Sequence, residues 1–305
     1  MPDKQPTIGG SAALEGVMMR GPEAWALAVR QPDGTIAIER HARPAPSVRY
    51  PWLKLPLIRG IATLIESLSV SYTALARSAI LAGVEDDKPP SQTAIYVTIG
   101  ISAVIGILLF AAGPAFLAGL LVDAGVNPVL FNVTAGLLKG VLIVSYVYAI
   151  SLMPDIRRFF QYHGAEHKAI AAFEAGGPLS VDEARKMTPY HPRCGTSFIA
   201  FVVLVAIVFF TFIPGQQEFW WRIGSRILFF PLVAALAYEL IRLTAFTDNP
   251  VSRVLRRPGF AFQRLTVREP DDSMLEVSLA SLRAALGIPQ PETAPPGEVA
   301  AVPAD

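Results

Sequence analysis

The sequence is poor in charged residues and in cysteine. Of its 305 residues, 17% are charged and 52% are hydrophobic, whereas soluble domains carry about 25% charged residues. With Cys194 as its one cysteine, the chain contains neither a disulfide framework nor a C-x-x-C zinc site. The formal net charge of +1 provides no basic surplus for nucleic acid, and the apolar content argues against disorder. We therefore expect an integral membrane protein without a nucleic-acid partner.

Four apolar runs are long enough to cross a lipid bilayer. A helix needs about 20 mainly apolar residues to cross roughly 30 Å of hydrocarbon, and four such runs in one chain argue against buried core helices. We expect no cleavable signal peptide, because residues 1–20 lack a long apolar core after a basic start. The predicted transmembrane helices lie near residues 95–121, 127–152, 197–214 and 222–246.

The distribution of lysine and arginine indicates how these helices are oriented. Residues 1–90 contain ten of them, residues 154–196 contain six and residues 248–305 contain six. The short connections 122–126 and 214–221 contain none. Because loops rich in Lys and Arg stay in the cytoplasm, we expect both termini and the central loop to be cytoplasmic.

The part before the first span has two predicted units. In residues 1–56, the runs AWALAVR and TIAIER alternate apolar and polar residues around a Pro-Asp-Gly turn, which predicts a β-hairpin in a cytoplasmic segment. In residues 57–88, the helical pattern of 57–82 is interrupted by three charged residues. We interpret 57–82 as an amphipathic helix at the membrane interface, with a partly re-entrant course as the alternative.

The membrane domain, residues 89–247, is followed by a C-terminal cytoplasmic segment, residues 248–287. In this segment FAFQRLTVREP predicts a strand, and DDSMLEVSLASLRAALG predicts a capped amphipathic helix. Residues 288–305 are rich in Pro and Ala without periodicity, so we expect a disordered tail. The predicted fold class is an α-helical integral membrane protein with about four transmembrane helices, one interfacial helix and small cytoplasmic α/β flanking segments.

Four motifs connect the chain with a known family. IGGSAALEGVMMRGP, YHGAEHKAI, HPRCGTSF and FQRLTVREPDDSMLEVSLASL occur in this order between residues 8 and 286. Together they resemble the YqhQ-like family of bacterial integral membrane proteins, a family of unknown function described as predicted metal-dependent enzymes. The resemblance implies a multi-pass protein of the bacterial inner (plasma) membrane, and it adds a metal to the hypotheses.

The central cytoplasmic loop contains three of the four histidines. His163-Gly-Ala-Glu166-His167 is an H-x-x-E-H sequence, the inverted zinc motif. On a helix the two histidines, at i and i+4, project from one face. Glu166 is then close enough to act as general base toward a water on the metal. We therefore predict a divalent cation, preferably zinc, on His163 and His167.

A catalytic zinc normally has three protein ligands, so a third is needed. His191 lies in the same loop, and Glu239 lies inside the fourth predicted span, where a charge is costly and usually functional or paired. We predict one of these two as the third ligand. Cys194 and Arg193 are further candidates for the polar site. The plain alternatives are a small buried cysteine and a Glu239–Arg242 ion pair.

The glycine-rich segment near the start matches neither of the phosphate-binding glycine motifs. Glu15 and Arg20 within it are candidates for a shared polar site, where they would bind substrate or support the metal. The alternative is a tight loop whose glycines allow close packing and whose glutamate and arginine form a structural pair.

These residues predict a metal-dependent hydrolase at the cytoplasmic membrane face. Glu166 would take a proton from water, which would attack a carbonyl or phosphoryl group. A site beside the bilayer favours an amphiphilic substrate, either a membrane-protein peptide or a lipid-linked group. The alternative is a non-catalytic membrane factor in protein biogenesis, assembly or transport, in which the same polar residues are structural.

The predicted topology can be tested with reporter fusions. We expect fusions after Asp123 and Glu218 to be periplasmic and a fusion after Gly177 to be cytoplasmic, because Lys and Arg remain on the cytoplasmic side. Paired alkaline phosphatase and fluorescent-protein fusions measure both outcomes. A periplasmic signal after Gly177 would contradict the topology and place the H-x-x-E-H motif outside the cytoplasm.

Overall fold

The computed structural model describes residues 6–42, 50–84, 97, 100–102, 104–106, 108–123, 127–213, 218–291 and 299–302, and most of these residues are helical. The strands are β1 (Gly9–Ala13), β2 (Gly16–Arg20), β3 (Ala24–Arg30), β4 (Ile36–Ala42) and β5 (Val299–Val302). The helices are α1 (Ile58–Leu81), α2 (Gly113–Leu121), α3 (Pro128–Ile150), α4 (Pro154–Glu174), α5 (Val181–Lys186), α6 (Gly195–Thr211), α7 (Phe219–Leu228), α8 (Phe230–Phe246), α9 (Pro250–Thr266) and α10 (Asp272–Leu286).

The strands form one sheet in the order β1-β2-β3-β4-β5. β1 to β4 pair with one another in antiparallel fashion, and β5 is parallel to β4. β5 lies in the tail that the sequence predicts to be disordered, so this prediction is wrong for residues 299–302, which pair with residues 38–41. β3 and β4 form a hairpin around the Pro-Asp-Gly turn, where Gly34 has a φ of 88°, a conformation that glycine adopts without steric cost. A second hairpin, β1–β2, turns at Leu14 and Glu15. This hairpin was not predicted from the sequence.

Helices cover both faces of the sheet, because successive side chains of a strand point to opposite faces. On one face, Val17, Met19 and Ile38 share a core with buried side chains of α4 and α10. On the other face, Met18 and Leu27 share a core with α1. β2 and β3 are therefore buried on both sides. The expected alternation of apolar and polar residues in AWALAVR is wrong, because β3 is a continuous apolar run up to Arg30.

The residues predicted as a C-terminal strand are largely helical. FAFQRLT, the first part of that run, belongs to α9, and the chain becomes extended at Val267. Phe262, Gln263 and Thr266 are buried together on one side of α9, which is the spacing of a helical face. Over so short a run, the order of apolar and polar residues is compatible with both a strand and a helix. The run is helical because its apolar side packs against the rest of the protein.

The predicted capped helix after it is α10. Asp271 accepts a hydrogen bond from the Met274 N–H at 3.0 Å, and Gly287 ends the helix with a φ of 70°. The helix is less amphipathic than predicted, because the sheet and α4 bury most of its circumference.

The apolar helices support a membrane protein. Residues 100–121 and α3 are long and apolar enough to cross a membrane, and α7 with α8, bent by 50°, form a third candidate. α6 is apolar but has 17 residues. The described ranges thus contain two or three candidate membrane-crossing helices by length, compared with four predicted.

Gly164 allows α4 to pack against the extended chain that follows α9. A Cβ atom at this position would lie 2.0 Å from the carbonyl oxygen of Arg268. The Arg268 N–H also donates to the Phe160 carbonyl at 2.9 Å, so neither backbone can move away cheaply. A side chain larger than hydrogen at position 164 would therefore separate the two segments.

We expect Gly164→Ala to lower the free energy of unfolding by about 1–3 kcal/mol, the usual cost of overpacking. Gly140→Ala on α3 is the matched control, since no side chain and no backbone beyond its own helical turns lies within 4 Å of the added Cβ, and alanine is the better helix former. Unfolding of detergent-purified variants measures both effects. Equal stability of Gly164→Ala and wild type would contradict the close contact.

Candidate metal centre

Helix α4 and the start of α6 bring three potential metal ligands together. His163 and His167, one helical turn apart, have ring centroids separated by 4.4 Å. The Cys194 sulfur lies 3.3 Å from the His163 Nε2 atom. One ligand atom from each of the three residues lies within 4.8 Å of the others. Among the described residues, this group is the one that combines three potential ligands so closely.

Backbone carbonyls orient both imidazole rings. The Nδ1 atom of His163 lies 2.9 Å from the Thr266 carbonyl, and that of His167 lies 2.6 Å from the Pro189 carbonyl. Because a carbonyl only accepts hydrogen bonds, we assign the proton to Nδ1 in both rings. Each Nε2 atom then keeps its lone pair, which is the usual arrangement of histidine ligands. Burial also lowers the pKa of His167, which favours the neutral ring.

Cys194 is the N-cap of α6. Its sulfur accepts a hydrogen bond from the Thr196 N–H at 3.4 Å and lies 3.1 Å from the Thr196 hydroxyl. The peptide dipoles at a helix N-terminus favour negative charge. The thiolate is the form in which cysteine binds metals. The position therefore suits Cys194 as a third ligand.

The structure gives His191 other partners than a metal. Its ring centroid lies 5.8 Å from that of His167, so the predicted proximity is present. However, its Nε2 lies 3.2 Å from a carboxylate oxygen of Glu174, and its Nδ1 accepts from the Arg193 N–H at 3.3 Å. Arg193 also forms an ion pair with Glu174. Both ring nitrogens of His191 are therefore engaged by protein groups, and the group of three potential ligands contains Cys194 in its place.

Glu239 is likewise engaged elsewhere. Its carboxylate forms an ion pair with Arg59 and accepts a hydrogen bond from the Leu57 N–H at 3.1 Å. The partner is thus on α1, and not the neighbouring Arg242 considered from the sequence. This pair joins the start of α1 to α8, which explains a carboxylate on an apolar helix without any metal.

Glu15 and Arg20 do not form the shared polar site. Glu15, in the β1–β2 turn, pairs with Arg158 and accepts a hydrogen bond from the Tyr162 hydroxyl at 3.1 Å. Arg20 lies 3.4 Å from Glu66 of α1. Glu15 therefore attaches the turn to α4, while Arg20 belongs to the wall of the cavity described next.

A cavity of about 480 Å³ lies beside the ligand group. Glu166, His167 and Cys194 line it together with mainly apolar and small residues of β1, α1, α6 and α8. Its volume is in the range of ligand sites, roughly 300–1,000 Å³. Its other lining residues include Ile8, Gly10, Leu64, Val70, Phe198 and Tyr238.

Glu166 is a buried carboxylate at this cavity. Glu166 is 5% exposed, and its Oε2 atom has no hydrogen-bond partner within the described part of the chain. Burial raises the pKa of Glu166 to about 7, against the opposite influence of His163 and His191. The group can therefore gain or lose a proton near neutral pH, as a general base requires.

The donor set fits zinc. Two neutral imidazole nitrogens and one thiolate are ligands that zinc takes in tetrahedral sites. Three protein ligands leave the fourth position to water or substrate, and the unpartnered Glu166 Oε2 lies in the same cavity wall.

Comparison with known proteins identifies the family. A family model described as a protein of unknown function (DUF1385) matches residues 55–288. The chain belongs to this family. It is also 32% identical over 295 residues to the uncharacterized protein YqhQ of Bacillus subtilis (strain 168), which covers 90% of this chain and 91% of that protein. The YqhQ-like resemblance is confirmed, and no solved structure matches the chain.

Sequence reasoning missed the residues that orient the site. Gln263 of α9 accepts from the His191 N–H at 2.9 Å and donates to the His191 carbonyl at 2.8 Å and to the Ser197 hydroxyl at 2.7 Å. It thereby attaches the loop before Cys194 to two helices. The signal in the sequence was a glutamine beside Phe262 in the FQRLT motif, since a polar side chain on an apolar helical face needs partners.

The raised pKa of Glu166 predicts a pH-dependent effect of Glu166→Gln in chelator-treated protein. In the unfolded chain a glutamate titrates near 4.3, and in the folded protein Glu166 titrates near 7. Wild-type stability therefore falls as the pH rises between these values and is level above them. We expect Glu166→Gln to exceed wild type by up to about 3 kcal/mol at pH 8, and by little at pH 4.5. Denaturant unfolding at both pH values measures the difference, and a pH-independent difference would contradict the assignment.

Proposed function

We propose that this protein is a metal-dependent hydrolase of amphiphilic substrates at the cytoplasmic face of the bacterial inner membrane. His163, His167 and Cys194 would hold a divalent cation, preferably zinc, and Glu166 would act as general base. The observation that carries the proposal is the convergence of three potential ligands beside the buried carboxylate of Glu166. Its Oε2 atom has no hydrogen-bond partner among the described residues, and its pKa is raised to about 7.

The protein's own groups have defined tasks in this reaction. When bound, zinc supplies Lewis-acid polarisation and lowers the pKa of a coordinated water. Glu166 would accept the proton of the attacking water and return it to the leaving group, as its pKa near neutrality allows. The carbonyls of Thr266 and Pro189 would hold the two imidazoles in place during the reaction.

We also propose four membrane crossings with both termini in the cytoplasm. α6 would be the third crossing, since its 17 residues extend about 26 Å, slightly less than a typical hydrocarbon layer. α7 and α8 together would be the fourth, crossing with a bend. α1 would lie at the interface: it packs on the sheet with one side, and Ile65, Leu68 and Tyr72 on it are 52–63% exposed.

Elemental analysis of detergent-purified protein tests the metal assignment. We expect about one zinc ion per chain in wild type, and its loss in His167→Ala and Cys194→Ala. Glu239→Gln should retain the metal, because Glu239 pairs with Arg59. His41→Ala is the histidine control, since His41 stacks on Trp25 in the sheet. Metal retention in Cys194→Ala with loss in His191→Ala would restore His191 as the ligand.

Glu166→Gln separates catalysis from a structural role. We expect this variant to insert and to keep its metal, yet not to complement a deletion strain, because losing a general base costs about 10²- to 10⁴-fold in rate. His163→Ala should lose both metal and function. Full complementation by Glu166→Gln together with destabilisation by His163→Ala would contradict the hydrolase. The non-catalytic membrane factor would then be the better reading.

A further inference from the structure

The sheet ends at β1, and one side of this strand has no neighbour among the described residues. β1 pairs with β2 alone, in a register that places Ala13 opposite Gly16 and Ser11 opposite Met18. An edge strand has backbone N–H and C=O groups that can pair with another extended chain. Native proteins usually shorten, charge or cover such an edge. β1 carries no charged residue over its five positions.

The register shows which backbone groups face outward. Residues in an antiparallel pair alternate between hydrogen-bonded and non-hydrogen-bonded positions. A two-residue turn at 14–15 makes Ala13 and Gly16 a hydrogen-bonded pair, so Ser11 and Gly9 also bond to β2. The N–H and C=O groups of Gly10 and Ala12 therefore point away from β2, and no partner of theirs is recorded in the described ranges.

The cavity passes along this edge. Its lining includes Leu64 and Val70 of α1, which cover one face of the sheet, and Glu166 and His167 of α4, which cover the other face. A single cavity can be lined from both faces only where the sheet ends. Residues 8–11 also line it, so the free side of β1 borders the cavity beside the proposed metal ligands.

Gly10 brings the edge close to Glu166. A Cβ atom at Gly10 would lie 2.9 Å from both Cγ and Oε1 of Glu166, so the strand and the carboxylate touch because this residue is glycine. A chain that pairs with Gly10 would therefore present its backbone next to the proposed general base.

We propose that β1 binds an extended segment of polypeptide as an added strand, which makes the substrate a peptide of a membrane protein and not a lipid-linked group. Strand addition is a common mode of peptide recognition, in which main-chain bonds give affinity and side-chain pockets give specificity. The identity of the substrate rests on the proposed hydrolase function. In that reaction water would hydrolyse one peptide bond and yield a carboxyl and an amino terminus. Binding itself does not depend on the reaction.

The two faces of the site define which peptide fits. Successive side chains of the bound strand point to opposite faces. One set would meet Leu64, Leu68 and Val70 on the side of α1, and the other would meet Glu166 and His167 on the side of α4. The chemistry thus favours alternation of an aliphatic residue with a small polar one.

The test uses a hexapeptide of alternating valine and serine with a fluorescent label at its N-terminus. When it is bound as a strand, all valine side chains point to one face of the sheet and all serine side chains to the other. In an extended chain, N–H groups of alternate residues point to the same side. One derivative carries N-methyl groups on the serine amides, and the other carries them on the valine amides. Fluorescence anisotropy with full-length protein in detergent measures binding, with empty micelles as background.

We expect the unmodified peptide and one derivative to bind, and the other derivative to bind at least about tenfold more weakly, because it lacks hydrogen bonds to β1. Equal binding of both derivatives, or absence of binding up to about 1 mM, would overturn the proposal. Displacement of both derivatives by phosphatidylglycerol would identify the cavity as a lipid site and would also overturn it.

Variants of β1 test the same contact from the side of the protein. Ala12→Pro removes an outward N–H group that the β1–β2 ladder does not use, and proline is tolerated at such edge positions. We expect it to bind the unmodified peptide about three- to tenfold more weakly than Ala12→Ser, which keeps the N–H. Both variants should contain as much zinc as wild type. Equal affinity of two folded variants would contradict the pairing.

The two proposals can fail separately. Suppose that the peptide binds with the predicted N-methyl pattern, but the protein contains no metal or the Glu166→Gln variant is active. This result would support strand addition and contradict the hydrolase. If wild type binds metal and Glu166→Gln loses function, but wild type does not bind the peptide, the result would support the hydrolase and contradict a peptide substrate.

Discussion

Two contacts that only glycine permits determine where helix α4 lies. At Gly164 an added Cβ would be 2.0 Å from the Arg268 carbonyl oxygen, and at Gly10 it would be 2.9 Å from Glu166 Oε1. These contacts, on different sides of α4, limit both its distance from the sheet and its rotation. Because His163 and His167, one turn apart, share a helical face, this limit also determines where that face points.

Charge pairing separates the acidic residues around the site into two groups. Most of them are neutralised by arginine, and these pairs connect elements of the fold. Glu166 differs, because its Oε2 has no partner in the described ranges and its surroundings raise its pKa to about 7. A buried carboxylate oxygen without a partner destabilises the fold, so the stability of the fold does not explain why Glu166 lies beside the three potential ligands. The paired residues are Glu15 with Arg158, Glu174 with Arg193 and Glu239 with Arg59.

The sequence predicted the parts of the fold and site that depend on local spacing. The H-x-x-E-H motif placed His163 and His167 on one helical face because that relation depends on four residues of helix. Which residue is the third candidate ligand depends on how α6 packs beside α4. The sequence around Cys194 and His191 does not show whether the sulfur or the ring nitrogens are engaged by other groups. β2 was not predicted, because burial on both faces removes the alternation that identifies a strand. β3 is buried in the same way, but the Pro-Asp-Gly turn that follows it revealed it as part of a hairpin.

Cys194 connects the apolar helix α6 with the candidate site. Its sulfur caps α6 while lying 3.3 Å from His163 Nε2. The first turn of α6 is attached to α9 twice: Gln263 donates to the Ser197 hydroxyl, and Gly259 leaves room for the Ser197 side chain, which would lie 2.8 Å from an added Cβ. The sulfur therefore cannot move without moving an apolar helix. In the topology proposed above, a site at the end of α6 would lie where the helix leaves hydrocarbon, within reach of both water and the bilayer.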